Sequence, residues 1–161
     1  MSKKTAKSSH YTEAIRLKRD EDDGFIASCW LKSAMYPTLK EWPFFKDGKK
    51  VYREQFSKII KHALDSKVFL VACSAEEPDN MYGFVCFEPS DPPLIHFVYV
   101  KELYRRGGVA SALVSAVTKG ERFAISSASP VLEKICRKHP EMITHFDRFS
   151  LFGIEPYRGA P

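Results

Sequence analysis

Four consecutive residues, Arg105, Arg106, Gly107 and Gly108, combine fixed positive charge with two positions that carry no Cβ. Arginine side chains attract anions, and glycines let a backbone turn sharply and come close to a ligand. The flanking residues say what such a turn connects. Leu94 to Val100 is apolar at every position except His96 and rich in β-branched and aromatic side chains, which is the composition of a buried strand. From Gly108 onward, Ala110, Leu113, Val114 and Val117 recur at helical spacing, as in a helix packed on a sheet. A helix leaves its first N–H groups unpaired and adds the positive end of its dipole. Strand, basic turn and helix N-terminus in that order make an anion site, with phosphate the best-matched ligand. An ordinary connection would need the glycines but not two arginines.

Two nucleotide-binding motifs are excluded. No Gly-Lys-Ser/Thr follows the turn, so it is not a Walker-type loop. No Gly-x-Gly-x-x-Gly occurs, and the stretch comes too late in the chain to open a dinucleotide fold. Arg105, Gly108 and Ala110 instead fill the pattern Arg/Gln-x-x-Gly-x-Gly/Ala. The stretch therefore resembles the acetyl-CoA-binding motif of the Gcn5-related N-acetyltransferase (GNAT) superfamily, which also shows the apolar strand before it and the small-residue helix after it.

The resemblance implies a central strand that splays from its neighbour and offers backbone groups of Val98, Tyr99 and Val100 to the pantetheine arm of acetyl-CoA. It puts the pyrophosphate on the N–H groups of Arg106, Gly107, Gly108, Val109 and Ala110, with Ser111 next in the helix and Arg105 flanking the turn. The implied reaction is direct acetyl transfer to an amine, with a base for the amine proton and an acid for the departing thiolate. Backbone donors near the thioester oxygen would stabilise the tetrahedral intermediate.

The family's base and acid carry over poorly. The glutamate that histone-type members use as base falls at Leu94. His96 lies two residues on, on the same face of a regular strand, and its ordinary pKa suits a base near neutrality. A hydrogen-bonded histidine in a half-buried strand is the equal alternative. Glu88, at the end of the preceding strand, is a second candidate base, reaching through water. The family's acid is commonly a tyrosine on the fourth helix. Cys136 stands roughly there, where a core role competes with that of acid, and Tyr157 would have to fold back. Some relatives work by positioning alone, so these gaps leave activity open.

The elements that must hold these residues follow from the rest of the chain. At 161 residues it has the length of one domain with one substantial core. Residues 1–10 read as a disordered basic tail, and residues 11–161 as a single domain. A strand over Glu13–Lys18 precedes the acidic run Asp20–Asp23, which opens a helix expected to end near Tyr36-Pro37. Met35–Phe45 reads as an aromatic loop that caps the core or lines an acceptor cleft. A second helix is expected over Lys49–Ser66, and Val68–Cys73 and Tyr82–Phe87 as an antiparallel hairpin. After the motif helix come a short strand, Phe123–Ser126, a helix capped by Ser129-Pro130, and a strand region, Met142–Phe152. The order β-α-α-β-β-β-α-β-α-β predicts an α/β (α+β) fold with a mixed, mostly antiparallel central sheet flanked by helices. It is similar to the GNAT order through the fourth helix. That family usually closes with two strands, and here they must be short or one is missing.

Composition bounds the setting. With 44% hydrophobic and 28% charged residues the balance is that of a soluble globular protein, and no apolar run is long enough for a membrane span or placed as a signal peptide requires. Cys29, Cys73, Cys86 and Cys136 lack Cys-x-x-Cys spacing and lie in apolar stretches, which suits reduced thiols in the cytoplasm. The five histidines are scattered, so no metal is expected. The net charge of +5 fits a solvated surface and a basic tail, with polyanionic CoA, an acidic acceptor or nucleic acid as functional alternatives. Three functions stay open. The first is an acetyl-CoA-dependent N-acetyltransferase acting on a small-molecule or peptide amine, with a homodimer open. The second is a CoA-binding relative without catalysis, and the third a basic nucleic-acid-binding module.

Overall fold

The computed structural model describes residues 13–41, 46–127 and 129–147. The expected N-terminal tail, Tyr157 and the chain's last residues lie outside the described residues. Among the described residues, six strands form one sheet in the order β1-β2-β3-β4-β5-β6. Strands β1 (Glu13–Leu17), β2 (Val68–Ser74), β3 (Met81–Glu88) and β4 (Leu94–Val100) pair antiparallel. Strands β5 (Phe123–Ile125) and β6 (Ile143–Phe146) continue the sheet in parallel. Parallel neighbours need a crossover, and helices α3 (Val109–Thr118) and α4 (Pro130–Lys138) supply the two. Helices α1 (Asp23–Glu41) and α2 (Lys46–Ser66) connect β1 to β2.

Residues 82–86 of β3 and 94–98 of β4 are buried without a break, as strands covered on both faces must be. One apolar cluster joins Ile26 and Trp30 of α1 and Ile60 of α2 to Phe69, Phe84 and Phe97. Trp30 stacks on Phe97 with ring centroids 4.8 Å apart. The other cluster seats Leu113 of α3 and Leu132 of α4 on Val85, Ile95, Val98 and Phe123. Neighbours such as Phe84 and Val85 thus face opposite cores, following the two-residue period of a strand.

That period breaks where the site lies. Pairing passes from Cys86↔Phe97 to Phe87↔Ile95, which leaves His96 as an extra residue in β4, a β-bulge. Ile95 and Phe97, two residues apart, accordingly pack in different clusters. His96 contacts Glu88, the residue opposite Leu94 across the two strands. Farther along, a Cβ on Gly83 would lie 2.3 Å from the Tyr99 carbonyl oxygen, so β3 and β4 approach this closely only with glycine there.

The helical boundaries also differ from expectation. Helix α1 runs through Pro37 to Glu41 instead of ending at Tyr36, so the expected aromatic loop is helical in its first half. Proline's fixed φ is itself helical, and the disturbance is confined to one lost hydrogen bond and crowding at the carbonyl four residues back. Residues 42–45 of that loop lie outside the described residues. Helix α2 begins three residues earlier than expected, at Lys46. Among the described residues, the region after α4 forms one strand of four residues.

Candidate active site

At the C-terminal end of β4 a short 3-10 turn, Glu102–Tyr104, leads into the basic stretch. Tyr104 packs on Tyr82 with centroids 4.2 Å apart, which ties the turn to β3. Arg106 and Gly108 both take left-handed backbone conformations, with φ of 67° and 86°. Gly108 adopts this freely, whereas an arginine there carries backbone strain on the order of 1–3 kcal/mol. Gly108 is the N-cap of α3, and no side chain caps the helix. The first hydrogen bond of the helix runs from Ala112 N–H to the Gly108 carbonyl at 2.9 Å. The N–H groups of Val109, Ala110 and Ser111 are therefore offered outward together with the positive end of the helix. A Cβ built on Gly108 meets nothing within 4 Å, so the space over the turn is open. Val109 is buried and anchors the helix start, while Arg105, Arg106, Gly107, Gly108 and Ser111 are exposed.

The sheet opens beside this turn. Strands β4 and β5 pair only at Leu94↔Ala124 and Ile95↔Ile125, and a last bond runs from Ser126 N–H to the Ile95 carbonyl at 3.0 Å. From Phe97 onward β4 is paired on its β3 side alone. The hydrogen-bond phase decides which groups face the gap. Lys101 N–H bonds the Tyr82 carbonyl at 2.8 Å, so by antiparallel alternation Tyr99 and Phe97 spend their backbone groups on β3. The backbone groups of Val98 and Val100 point the other way, into the gap. Of the three residues named from the sequence, Tyr99 is thus turned to Phe84 and only Val98 and Val100 face the opening. The Val100 carbonyl already accepts from Arg105 Nε at 3.0 Å, so Arg105 braces the strand end as well as flanking the turn.

At the other end of β4 lies a polar cluster. His96 is fully buried, with Nδ1 2.6 Å from Ser126 Oγ and Nε2 2.9 Å from Glu88 Oε1. The same carboxylate oxygen accepts from Lys67 Nζ at 2.6 Å. Burial pushes the His96 pKa below its ordinary value of 6.5, against the opposing pull of Glu88. The ring is therefore neutral at pH 7. A carboxylate only accepts, so Nε2 carries the proton and Nδ1 receives the Ser126 hydroxyl proton. Ser127 Oγ holds the His96 carbonyl, fixing the bulge from behind.

The two candidate bases, His96 and Glu88, thus meet directly as one hydrogen-bonded pair. A ring with both nitrogens engaged reaches a substrate only through a partner. Cys136 sits half-buried on α4, with its thiol pKa raised by burial, and no hydrogen bond or ion pair links it to the cluster among the described residues. Ser126 and Lys67 were not foreseen from the sequence. The one signal was the pair Ser126-Ser127 directly after a very short strand, where loops often carry functional groups.

The model of the acetyltransferase (GNAT) family matches residues 32–124. Among solved structures, a GCN5-related N-acetyltransferase from Rhodopseudomonas palustris superposes with a TM-score of 0.54 at 17% identity, over 79% of this chain and 80% of its own. A protein described as histone acetyltransferase HPA2 and related acetyltransferase, from Corynebacterium glutamicum, gives 0.55 at 17% identity, over 78% and 82%. At such identity the likeness is one of fold. No curated protein matches the chain.

Proposed function

The chain belongs to the acetyltransferase (GNAT) family, and from that premise we propose that it moves an acetyl group from acetyl-CoA to a primary amine of a small molecule or peptide. The observation that carries this reading is the gap beside β4, with an open helix N-terminus at one end and the His96 cluster at the other. The dimensions suit the ligand. From Val100 to His96 is four residues of strand, about 13 Å. A pantetheine arm has about twelve bonds from its phosphate ester to its sulfur, the length of about four extended residues. Pyrophosphate held by the Arg106–Ala110 backbone would thus bring the thioester beside His96. The arm's two amides would meet the inward-facing groups of Val98 and Val100, and the pyrophosphate charge would meet Arg105, Arg106 and the α3 dipole. The single-domain reading and a cytoplasmic setting belong to the same proposal. All four cysteines are free, and among the described residues no helix is long and apolar enough to cross a membrane.

A second reading, binding of CoA without catalysis, draws on one observation: His96 is buried with both ring nitrogens occupied. One pair of measurements separates the two. CoA at a hundredfold excess over its dissociation constant should add about 2.7 kcal/mol of stability under either reading. A mass-spectrometric screen of amines with acetyl-CoA should then find an acetylated product under the first alone. An unchanged melting temperature at millimolar CoA would sink both.

A further inference from the structure

The seam between helices α1 and α2 combines positive charge with apolar surface. A groove of about 270 Å³ lies there, floored by Leu31, Ile60 and Leu64 and rimmed by Lys32, Arg53 and Lys61. On α2 the lining residues Arg53, Ile60, Lys61 and Leu64 share one face, at separations of three, four and seven. Ile60 is buried and closes the core beneath, whereas Leu31 and Leu64 are half-buried and keep apolar surface uncovered. The three cations are exposed, and among the described residues none of them has an ion pair. No carboxylate lines the groove among those residues either. Like charges around one groove repel each other and raise the local concentration of anions. The chemistry differs from that of the turn before α3. There, backbone donors and a helix end suit a bare phosphate. Here, side-chain cations stand over an apolar floor, which suits an anion that carries a hydrocarbon chain.

We propose that this groove is a binding site for a free linear aliphatic carboxylate, of about ten to twelve carbons by its length. Arg53 and Leu64 are the first and last lining residues on α2, and about 16 Å of helix axis separates them. An extended chain gains about 1.2 Å per bond, so ten to twelve carbons span about 11–13 Å and leave room for the carboxylate. The carboxylate takes the planar fork of Arg53 in two parallel hydrogen bonds. The chain lies over Leu31, Ile60 and Leu64. The aliphatic stems of Lys32 and Lys61 fold along it with their ammonium groups in water. The groove shares no residue with the gap beside β4, and the proposal does not rest on the acetyl-CoA reading.

The experiment titrates the full chain with decanoate below its micellar concentration, followed by calorimetry and by the backbone amide shifts of the labelled protein. The expected result is one saturable site with shifts centred on Leu31, Ile60 and Leu64. Affinity should rise by about twofold to fourfold per methylene from hexanoate to decanoate. Decanol, which has the chain without the charge, should bind at least about tenfold more weakly, as should decanoate to Arg53→Gln. Arg53 is exposed, so this variant should melt as the wild type does. If it melts early, the pair Lys32→Gln and Lys61→Gln tests the rim instead and should show a loss in the same direction. No saturable binding, shifts centred elsewhere, equal binding of decanol or unchanged binding by the folded rim variants would each overturn the inference. So would a chain that ignores decanoate and binds phosphatidylglycerol vesicles or polyglutamate, because the groove would then serve a membrane or a protein. Acetyl-CoA added to the same sample should shift amides of β4 and the turn whichever way the groove answers.

Discussion

The turn at Arg105–Gly108 and the cluster around His96 stand at opposite ends of β4 and are built in opposite ways. The turn is exposed and contiguous in sequence, and it presents mainly backbone N–H groups and helix dipole. The cluster is largely buried and made of side chains, brought from Lys67, Glu88, His96 and Ser126 in four separate parts of the chain. Binding a charged, flexible phosphate needs many donors of modest precision, which a helix end provides. Moving a proton needs few groups held within tenths of an ångström, which a packed interior provides. The two ends should therefore fail differently when altered.

The largest effect is expected at the turn. Gly108→Val places a branched side chain over the phosphate path at a φ of 86°, so CoA affinity should fall by about 10²-fold or more. The same strain should lower the apo melting temperature, so affinity and melting are measured together. An early-melting variant whose folded fraction binds CoA as the wild type does would break the contrast, leaving Gly108 with a shape-giving role alone. Next comes His96→Gln, where turnover should drop by about 10²-fold with CoA affinity held within about twofold. Equal losses in both would mean that the two ends of β4 are not separable. Arg105→Lys should weaken CoA binding by less than about tenfold. The charge survives, and the hydrogen bond from Nε to the Val100 carbonyl is lost, worth about 0.5–1.5 kcal/mol.

The smallest effect distinguishes the ends by pH. The cluster holds a group that titrates, His96. Its folded pKa lies below 6.5, so between that value and its folded pKa the unfolded chain binds more protons than the folded one. The stability that His96 contributes is complete above pH 6.5, falls as pH drops toward its folded pKa, and changes no further below it. Denaturant unfolding of the apo chain should show this slope, and His96→Gln should flatten it. An identical slope in the variant would place the titrating group elsewhere.

The contrast also explains what could be read from residues alone. The order of elements was legible because each strand and helix carries its own periodicity, and the turn because its residues are consecutive. Helix α1 outran expectation because a rule about proline was applied to a helix that continues past Pro37 regardless. The cluster was half visible. His96 stood out as the polar residue of an apolar strand, and Glu88 as a carboxylate at a strand end. Their contact depends on β3 lying beside β4 with Glu88 opposite Leu94, a register that no local pattern announces. Ser126 was read as the last residue of a short strand. It gains meaning only from β5 lying beside β4, a pairing set by the α3 crossover and not by the residues around Ser126.

The alternation along β4 has a consequence for how the chain would look to a solvent probe. Amides of Phe97 and Tyr99 are locked into β3, while those of Val98 and Val100 open on the gap. Hydrogen–deuterium exchange read residue by residue should show this one strand as a dashed line, slow and fast by turns, although all four residues belong to the same element. A ligand that lies along the gap as a seventh strand would fill in the dashes and leave the slow positions as they were. A change that merely stiffened the domain would slow all four. The pattern of protection, rather than its amount, would thus report whether β4 serves as a template for an arm laid alongside it.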